Sequence, residues 1–491
     1  MIYGFLRMTP DGEPPYGFTP DAWVGWNDLI RHFYIKTMGC QMNEYDSDLV
    51  AQSLIRNGFS PVDNPEQADL IVLNTCVVRS KPEQKAYSFL GRMAALKKRD
   101  PEICLGVVGC LAQKEGKRLR KRFPFVDFIL GPRELGRIQA ISNGGKGLPE
   151  KVVATALSQP PPQPVSCPGY FNKKVSGFIS IMEGCDNFCS YCVVPYVRGR
   201  EVSRSPKAIR AEAEDLLSQG VREITLLGQN VNSYQWGDEN QWDFPALLSE
   251  ISRIDGLARL RFTTSHPKDL SDGLIRCLAE IQSLCPHIHL PFQAGSNRIL
   301  ERMRRGYTRE YYLALIRKLR NAVPHIAITS DVMVGFPGET DEDFNLTLDL
   351  IERVRFDSLF SFKYSDRKGT RAEKMCDKVD EAEKGIRLTI LQDLQKEITL
   401  QKNRRLVGQR VQVLVEGLSK KGEFTGRTPT NKIVNFDGHN KHIGHLIDVE
   451  VKSATPHSLW AELPASTSPS LRPVDVYYGH QDEGKSEDDR T

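Results

Sequence analysis

The segment EGCDNFCSYCVVPYVRGR, residues 183–200, contains three cysteines at a spacing typical of a metal site. Cys185, Cys189 and Cys192 follow the pattern C-x3-C-x2-C, and they come directly after the apolar run VSGFISIM, which predicts a β-strand. Cysteine thiolates are the usual ligands of iron–sulfur clusters, and a cubane cluster takes four of them. Three thiolates would leave one iron open to a cofactor or substrate. A zinc site would need a second ligand pair, and none lies nearby in the sequence.

The region around this segment, residues 173–405, alternates between apolar runs and helical patterns. Six runs predict β-strands: VSGFISIM, REITLLGQN, LRFTTS, HIHLPF, IAITSDVMVGF and SLFSFKY. Repeated strand–helix pairs predict a parallel sheet, and six of them fit an open or partial α/β barrel. Residues 378–405 read as one long helix that ends the unit.

A separate α/β unit is predicted at residues 32–145. Three β-rich runs there, HFYIKTMGC, ADLIVLNTC and EICLGVVGC, end in Cys40, Cys76 and Cys110. Ligands gather at the carboxyl ends of strands in open α/β sheets, so the three thiols are candidates for a second metal site. The residues alone leave another interpretation open, because free cysteines are often simply buried in the core.

The rest of the chain divides by composition. We predict an unassigned leader at 1–31, a Pro-rich linker at 146–172, a small all-β domain at 406–465 and a disordered acidic tail at 466–491. With 40% hydrophobic and 26% charged residues, the 491-residue chain is neither mostly disordered nor a membrane bundle. It has no apolar run of membrane-spanning length and no signal-peptide pattern. Cysteines at metal-ligand spacing then favour a cytoplasmic protein.

The first cysteine motif, with the aromatic Tyr191 before its last cysteine, resembles the radical S-adenosylmethionine superfamily. In that family the amino and carboxylate groups of S-adenosylmethionine chelate the open iron. Electron transfer from the [4Fe-4S] cluster then cleaves the cofactor to a 5′-deoxyadenosyl radical. The cofactors carry this chemistry, and the protein orients them.

The resemblance implies that residues near the strand ends hold S-adenosylmethionine. The candidates are Tyr191, Gly228, Gln229, Asn230, Ser265, Gln293, Ser296 and Asp331. A purely structural role at a turn or strand end is an open alternative for each of them. His266, which precedes Pro267, is a further polar residue at a strand end that could shape a loop.

The order of the three predicted domains resembles the methylthiotransferase family over about residues 32–465. The small β-domain resembles a TRAM domain, an RNA-binding β-barrel. The resemblance implies that Cys40, Cys76 and Cys110 hold a second [4Fe-4S] cluster, whose open iron carries the sulfur to be methylated and inserted. The strings CVVPYVRGREVSR, TSHPKDL, HLPFQAGSNRIL and GRTPTNKIVNF are most similar to the branch of the family that modifies dimethylallyl-adenosine in tRNA.

The implied reaction is methylthiolation of C2 of N6-(dimethylallyl)adenosine at position 37 in tRNA. Two S-adenosylmethionine molecules would serve, one as methyl donor and one as radical source. The resemblance also implies an electron donor such as flavodoxin or ferredoxin, and we expect a monomer; the residues do not indicate the sulfur donor. Alternative substrates are threonylcarbamoyl-adenosine in tRNA and a ribosomal protein. A non-enzymatic alternative is an iron–sulfur RNA-binding sensor.

RNA binding is suggested by two groups of basic residues, although the net charge of the chain is only +4. Residues 79–122 contain 13 basic and 4 acidic residues, which could neutralise phosphates or form a solvated helix face. In the small β-domain, predicted loop tips carry Lys420, Lys421, Arg427 and Lys432. The implied target, the tRNA anticodon loop, offers the unstacked bases that RNA-binding proteins read.

Overall fold

The structure is a computed structural model, and it describes residues 31–77, 80–143, 151–237 and 241–464. The predicted leader, apart from Arg31, and the predicted acidic tail lie outside these residues. Within them, no helix is both long and apolar enough to cross a bilayer.

The N-terminal part is a six-stranded parallel sheet in the order β2-β1-β3-β4-β5-β6. Its strands are β1 (Arg31–Met38), β2 (Phe59–Pro61), β3 (Leu70–Thr75), β4 (Cys104–Val108), β5 (Phe128–Leu130) and β6 (Val152–Ala154). Its helices are α1 (Gln41–Arg56), α2 (Ser80–Arg99), α3 (Cys110–Arg122) and α4 (Ile138–Asn143). Every residue of β3 is buried, because apolar clusters cover both faces of the sheet.

One strand of this sheet lies where the sequence analysis placed a linker. β6 pairs in parallel with β5 and therefore belongs to the N-terminal sheet, although it falls within residues 146–172. A three-residue strand is too short to show a periodic pattern, which is why the sequence did not reveal it. The prolines that suggested a linker begin only at Pro160.

The central part contains the six predicted strands as two parallel sheets, β13-β10-β7 and β14-β15-β16. Its strands are β7 (Ser176–Ser180), β8 (Met182–Glu183), β9 (Val202–Ser203), β10 (Glu223–Leu227), β11 (Gln235–Trp236), β12 (Trp242–Asp243), β13 (Arg259–Phe262), β14 (His287–His289), β15 (Ala327–Val334) and β16 (Ser358–Lys363). A parallel bridge between Leu260 and Leu284 joins the two sheets at β13. The strands thus follow one another in chain order, which confirms the predicted partial barrel.

Eight helices cover the described part of this barrel. They are α5 (Val194–Val197), α6 (Pro206–Ser218), α7 (Phe244–Ile251), α8 (Asp272–Glu280), α9 (Asn297–Met303), α10 (Arg309–Ala322), α11 (Asp341–Val354) and α12 (Glu381–Arg404). One large apolar core fills the space between strands and helices. The long helix predicted at 378–405 is α12, which begins three residues later and is capped by the Asp380 side chain.

The C-terminal part is a closed antiparallel-rich barrel in the order β17-β18-β19-β21-β20. Its strands are β17 (Arg410–Leu418), β18 (Phe424–Arg427), β19 (Ile433–Phe436), β20 (Leu446–Ala454) and β21 (Leu459–Glu462). Two buried arginines of β13 attach it to the central part. Arg259 donates a hydrogen bond to the carbonyl of Arg427, and Arg261 donates to those of Thr428 and Pro429. The small barrel is therefore docked on the larger one through backbone carbonyls.

Candidate active site

Cys40, Cys76 and Cys110 meet at one edge of the N-terminal sheet. Each of them directly follows a strand or the glycine after it: Cys40 follows β1, Cys76 follows β3 and Cys110 follows β4. These three strands are neighbours in the sheet, so their carboxyl ends lie side by side. Cys40 is exposed, whereas Cys76 and Cys110 are buried, so the set opens to the surface on the Cys40 side.

Two buried asparagines hold the loops that carry these cysteines. Asn43 donates to Asn74 at 2.9 Å, and the Asn74 amide returns a bond to the Asn43 carbonyl at 2.8 Å. The Asn43 side chain also accepts the backbone N–H of Cys40. At Gly39 the fit is tight, because a Cβ there would lie 2.7 Å from the Cβ of Cys76. Gly39, the residue before Cys40, therefore lets two cysteine-bearing loops approach each other.

The thiols of this first set differ in acidity. A hydrogen bond from Cys76 lowers the pKa of Cys40 to about 6, and the positive charge of Arg198 contributes. Burial raises the pKa of Cys110 to about 11 despite the nearby Arg198. Metal binding requires thiolates, so a cation would have to displace the proton of Cys110.

Cys185, Cys189 and Cys192 lie in the loop between β8 and α5. The loop turns at Gly184, whose φ of +90° favours glycine and whose N–H is accepted by the Gln229 side chain. The three sulfurs influence one another electrostatically, and burial raises the pKa of Cys192 to about 12. The three cysteines of the second predicted set thus share one short loop.

Arg305 gives the second set a buried positive charge. Its guanidinium donates to Cys189 Sγ at 3.5 Å, to the Pro291 carbonyl at 2.8 Å and to the Tyr307 hydroxyl at 3.1 Å. No carboxylate of the described residues forms an ion pair with it. A buried cation normally needs an anionic partner. Three cluster-bound thiolates would provide that partner, so the residues present fit an iron–sulfur cluster.

Five buried polar atoms around the second set lack a hydrogen-bond partner in the described part of the chain. They are Ser190 Oγ, Asn230 Oδ1, Ser265 Oγ, His266 Nε2 and Asp331 Oδ1. Buried polar atoms are normally satisfied, so unsatisfied ones on the cysteine loop and on the strands and loops of the barrel fit a polar ligand. Asn230, Ser265 and Asp331 were predicted from the sequence as cofactor contacts, and Ser190 was missed.

His266 is held as a neutral donor. Burial and the charges of Arg305 and Lys268 lower the pKa of its imidazole to about 2. Its Nδ1 accepts the backbone N–H of Lys268 at 3.3 Å, so the ring proton is on Nε2. The position of His266 before Pro267 predicted a structural role in the loop. The structure shows in addition that its Nε2–H is a donor without a hydrogen-bond partner among the described residues.

The other predicted cofactor residues have partners within the protein. Gln229 binds the Gly184 N–H, and Ser296 caps α9 and donates to Asp343 at 2.5 Å. Gln293, with a φ of +66°, pairs through its backbone with β15. Gly228 gives room for Met182, and Tyr191 is packed against an apolar cluster.

The predicted RNA contacts differ in their environment. Lys420 and Lys421 are exposed at the tip of the β17–β18 hairpin. Arg427 pairs with Glu416 at 3.1 Å. Lys432 points inward and binds Asp357 at 3.3 Å and Asn403 at 2.8 Å. In the first part of the chain, the end of α3 presents exposed basic side chains: Lys117, Arg118, Lys121 and Arg122.

Family models and related proteins agree with this geometry. Residues 32–131 match the model described as uncharacterized protein family UPF0004, residues 179–351 match the radical SAM superfamily, and residues 404–463 match the TRAM domain. The fold is similar to that of the radical S-adenosylmethionine methyltransferase TsrM from Kitasatospora setae, solved with cobalamin and a [4Fe-4S] cluster. The TM-score is 0.51 at 16% identity, over 70% of this chain and 74% of that one.

The fold and the cysteine loop thus define a radical S-adenosylmethionine enzyme. Relatives named tRNA-2-methylthio-N(6)-dimethylallyladenosine synthase indicate a particular family within this class of enzyme. The protein from Syntrophus aciditrophicus (strain SB) is 49% identical, over 88% of this chain and 94% of its own length. That from Desulfosudis oleivorans (strain DSM 6200 / JCM 39069 / Hxd3) is 48% identical, over 88% and 96%. The chain belongs to the family of tRNA-2-methylthio-N(6)-dimethylallyladenosine synthases. It is a radical S-adenosylmethionine methylthiotransferase, with S-adenosylmethionine and a [4Fe-4S] cluster as cofactors.

Proposed function

We propose that this enzyme methylthiolates C2 of N6-(dimethylallyl)adenosine at position 37 of tRNA, with two S-adenosylmethionine molecules and two [4Fe-4S] clusters. The observation that carries the proposal is that Cys40, Cys76 and Cys110 follow three neighbouring strands of one sheet, while Cys185, Cys189 and Cys192 share one short loop. Cys40, Cys76 and Cys110 would hold one cluster, and Cys185, Cys189 and Cys192 the other. When bound, the clusters supply the electron that cleaves S-adenosylmethionine and carry the sulfur to be inserted.

The site residues support radical chemistry more than acid–base chemistry. An aromatic C2–H bond has no usable acidity, so a general base could not activate it alone. His266, the imidazole beside the second set, is neutral and donates at Nε2, so it can orient an acceptor but does not act as a base there. The residues of the chain would therefore bind, orient and shield the reactants.

Asp331, Ser265 and Asn230 are the proposed contacts to S-adenosylmethionine, because each has a buried oxygen without a hydrogen-bond partner among the described residues. Asp331 Oδ1 also lies 3.7 Å from His289 Nε2. We expect Asp331→Asn to weaken S-adenosylmethionine binding about 10- to 100-fold, since it removes the charge from a buried acceptor. Equilibrium dialysis on the anaerobically reconstituted enzyme measures this. The matched control is Ser296→Ala, which removes a helix cap and should lower stability by about 1 kcal/mol without changing cofactor affinity. Equal affinity losses in both variants would contradict the assignment.

We further propose that residues 32–145 and 173–405 carry the two clusters and that residues 406–465 bind RNA. The anticodon arm would be contacted by Lys420, Lys421 and Arg427. The basic end of α3 would contribute to the same binding. The tRNA substrate, reduced cysteines and the need for an electron donor such as flavodoxin or ferredoxin favour the cytoplasm. We expect the enzyme to act as a monomer.

Replacing both Lys420 and Lys421 with alanine should weaken tRNA binding and lower the salt dependence. Loss of two phosphate contacts to a single-stranded region reduces the slope of log affinity against log salt by about 1.4. Filter binding from low to high salt measures the slope. Lys432→Ala is the control, because its amine is engaged with Asp357 and should affect docking of the small barrel rather than the slope. An unchanged slope in the double variant would count against this surface.

The proposed substrate is tested by mass spectrometry of tRNA nucleosides from cells with and without the gene. We expect deletion to remove the methylthio group from dimethylallyl-adenosine and leave the unmodified precursor. Loss of the methylthio group from threonylcarbamoyl-adenosine instead would support the alternative tRNA substrate. Intact tRNA with an altered ribosomal protein would support the protein-modifying alternative. Reduction of the purified enzyme without release of 5′-deoxyadenosine would support the sensor.

A further inference from the structure

Arg198 connects the two cysteine sets through its side chain. It follows α5, six residues after Cys192, and its side chain is only 3% exposed. Its guanidinium binds Asp46 of α1 at 2.5 and 3.3 Å and Glu183 of β8 at 2.8 Å. Its Nε–H donates to Cys110 Sγ at 3.4 Å. One residue of the central domain thus contacts a proposed cluster ligand of the N-terminal domain.

The carboxylates of this network come from both domains. Asp46 lies in α1, six residues after Cys40, and Glu183 lies two residues before Cys185. Arg133 stands 3.8 Å from Glu183 and adds a second positive charge. Replacing Arg198 would leave the buried carboxylates of Asp46 and Glu183 with less positive charge beside them. Its side chain therefore stabilises the packing of the two cysteine-bearing segments against each other.

A buried ion-pair network is a costly way to join two domains, because apolar packing can do so without desolvating charges. The hydrogen bond from Arg198 to Cys110 Sγ gives this network a second possible role, beyond joining the domains. Hydrogen bonds to cluster sulfurs are among the factors that set the reduction potential of iron–sulfur clusters. Groups in contact with metal ligands also fix the orientation of those ligands.

We propose that Arg198 is a positioning residue for the first cluster. It fixes Cys110 Sγ, raises the reduction potential of the cluster held by Cys40, Cys76 and Cys110, and keeps that cluster at a set distance from the second one. This inference rests on the proposed function, because it assumes a cluster at the first cysteine set.

The test uses the full chain with Cys185, Cys189 and Cys192 replaced by alanine, so that only the first cluster contributes to the spectra. In this background, Arg198→Gln should shift the midpoint potential downward and change the electron paramagnetic resonance spectrum of the reduced cluster. Arg198→Lys keeps the charge and should give an intermediate potential. With all six cysteines present, Arg198→Gln should lower tRNA methylthiolation about 10- to 100-fold.

The matched control is Arg204→Gln. Arg204 is equally buried, pairs with Glu212 at 2.7 Å and contacts Tyr45 of α1 at 3.2 Å, but it touches no cysteine. We expect this variant to lower the melting temperature while leaving the potential unchanged. An unmoved potential in Arg198→Gln, or an equal shift in Arg204→Gln, would overturn the inference. A parent protein that binds no iron at the first set would instead contradict the proposed function.

Discussion

Replacing Cys76 with alanine is expected to abolish tRNA methylthiolation while reductive cleavage of S-adenosylmethionine continues. Cys76 is buried between Cys40 and Cys110 and forms the hydrogen bond that lowers the pKa of Cys40. Two remaining thiols should not hold a cubane cluster, so the iron content should fall from about eight to about four atoms per chain. The second set, in a different domain, should keep its cluster.

Iron analysis, tRNA nucleoside mass spectrometry and 5′-deoxyadenosine quantification on the same preparation measure these effects. Cys104→Ala is the matched control, since Cys104 lies in the neighbouring strand β4 outside both sets. It should retain full iron and activity. Methylthiolation by Cys76→Ala at the wild-type rate would show that the first set carries no essential cluster.

Replacing Cys189 with alanine is expected to stop radical formation. Cys189 is buried in the second set and accepts the hydrogen bond from Arg305. Its loss removes one of three ligands and leaves the Arg305 charge without its sulfur partner. Formation of 5′-deoxyadenosine should fall by about a thousandfold or more, because residues that act as one catalytic unit show such losses.

The first set should remain loaded in Cys189→Ala, so about four iron atoms per chain should remain. Cys277→Ala is the control for the central domain, because that buried cysteine of α8 belongs to neither set and its thiol contacts the Pro245 carbonyl. Release of 5′-deoxyadenosine at the wild-type rate in Cys189→Ala would place the cleavage site elsewhere. Together with the Cys76 variant, this experiment separates the proposed roles of the two sets.

Several side chains missed or misjudged by sequence reasoning owe their roles to distant partners. Arg198 stood in a string that resembled the family, but its contact with Asp46 spans 152 residues. Ser296 was expected to bind the cofactor, whereas its hydroxyl caps α9 and binds Asp343. Lys432 was expected to face RNA, and its amine binds Asp357. Sequence position places such residues at a loop but does not specify what the side chain meets.

An iron–sulfur site could be predicted from the sequence, because the C-x3-C-x2-C spacing is local and its ligand chemistry does not depend on the rest of the chain. The class of enzyme followed from the resemblance of that motif to a known superfamily. The sequence also placed the six central strands, since their apolar runs are long enough to show a pattern. That Cys40, Cys76 and Cys110 follow neighbouring strands became clear from the folded chain, because strand order in a sheet is a non-local property. The same reason applies to Arg198 and Arg305, whose buried charges are defined by the side chains packed around them.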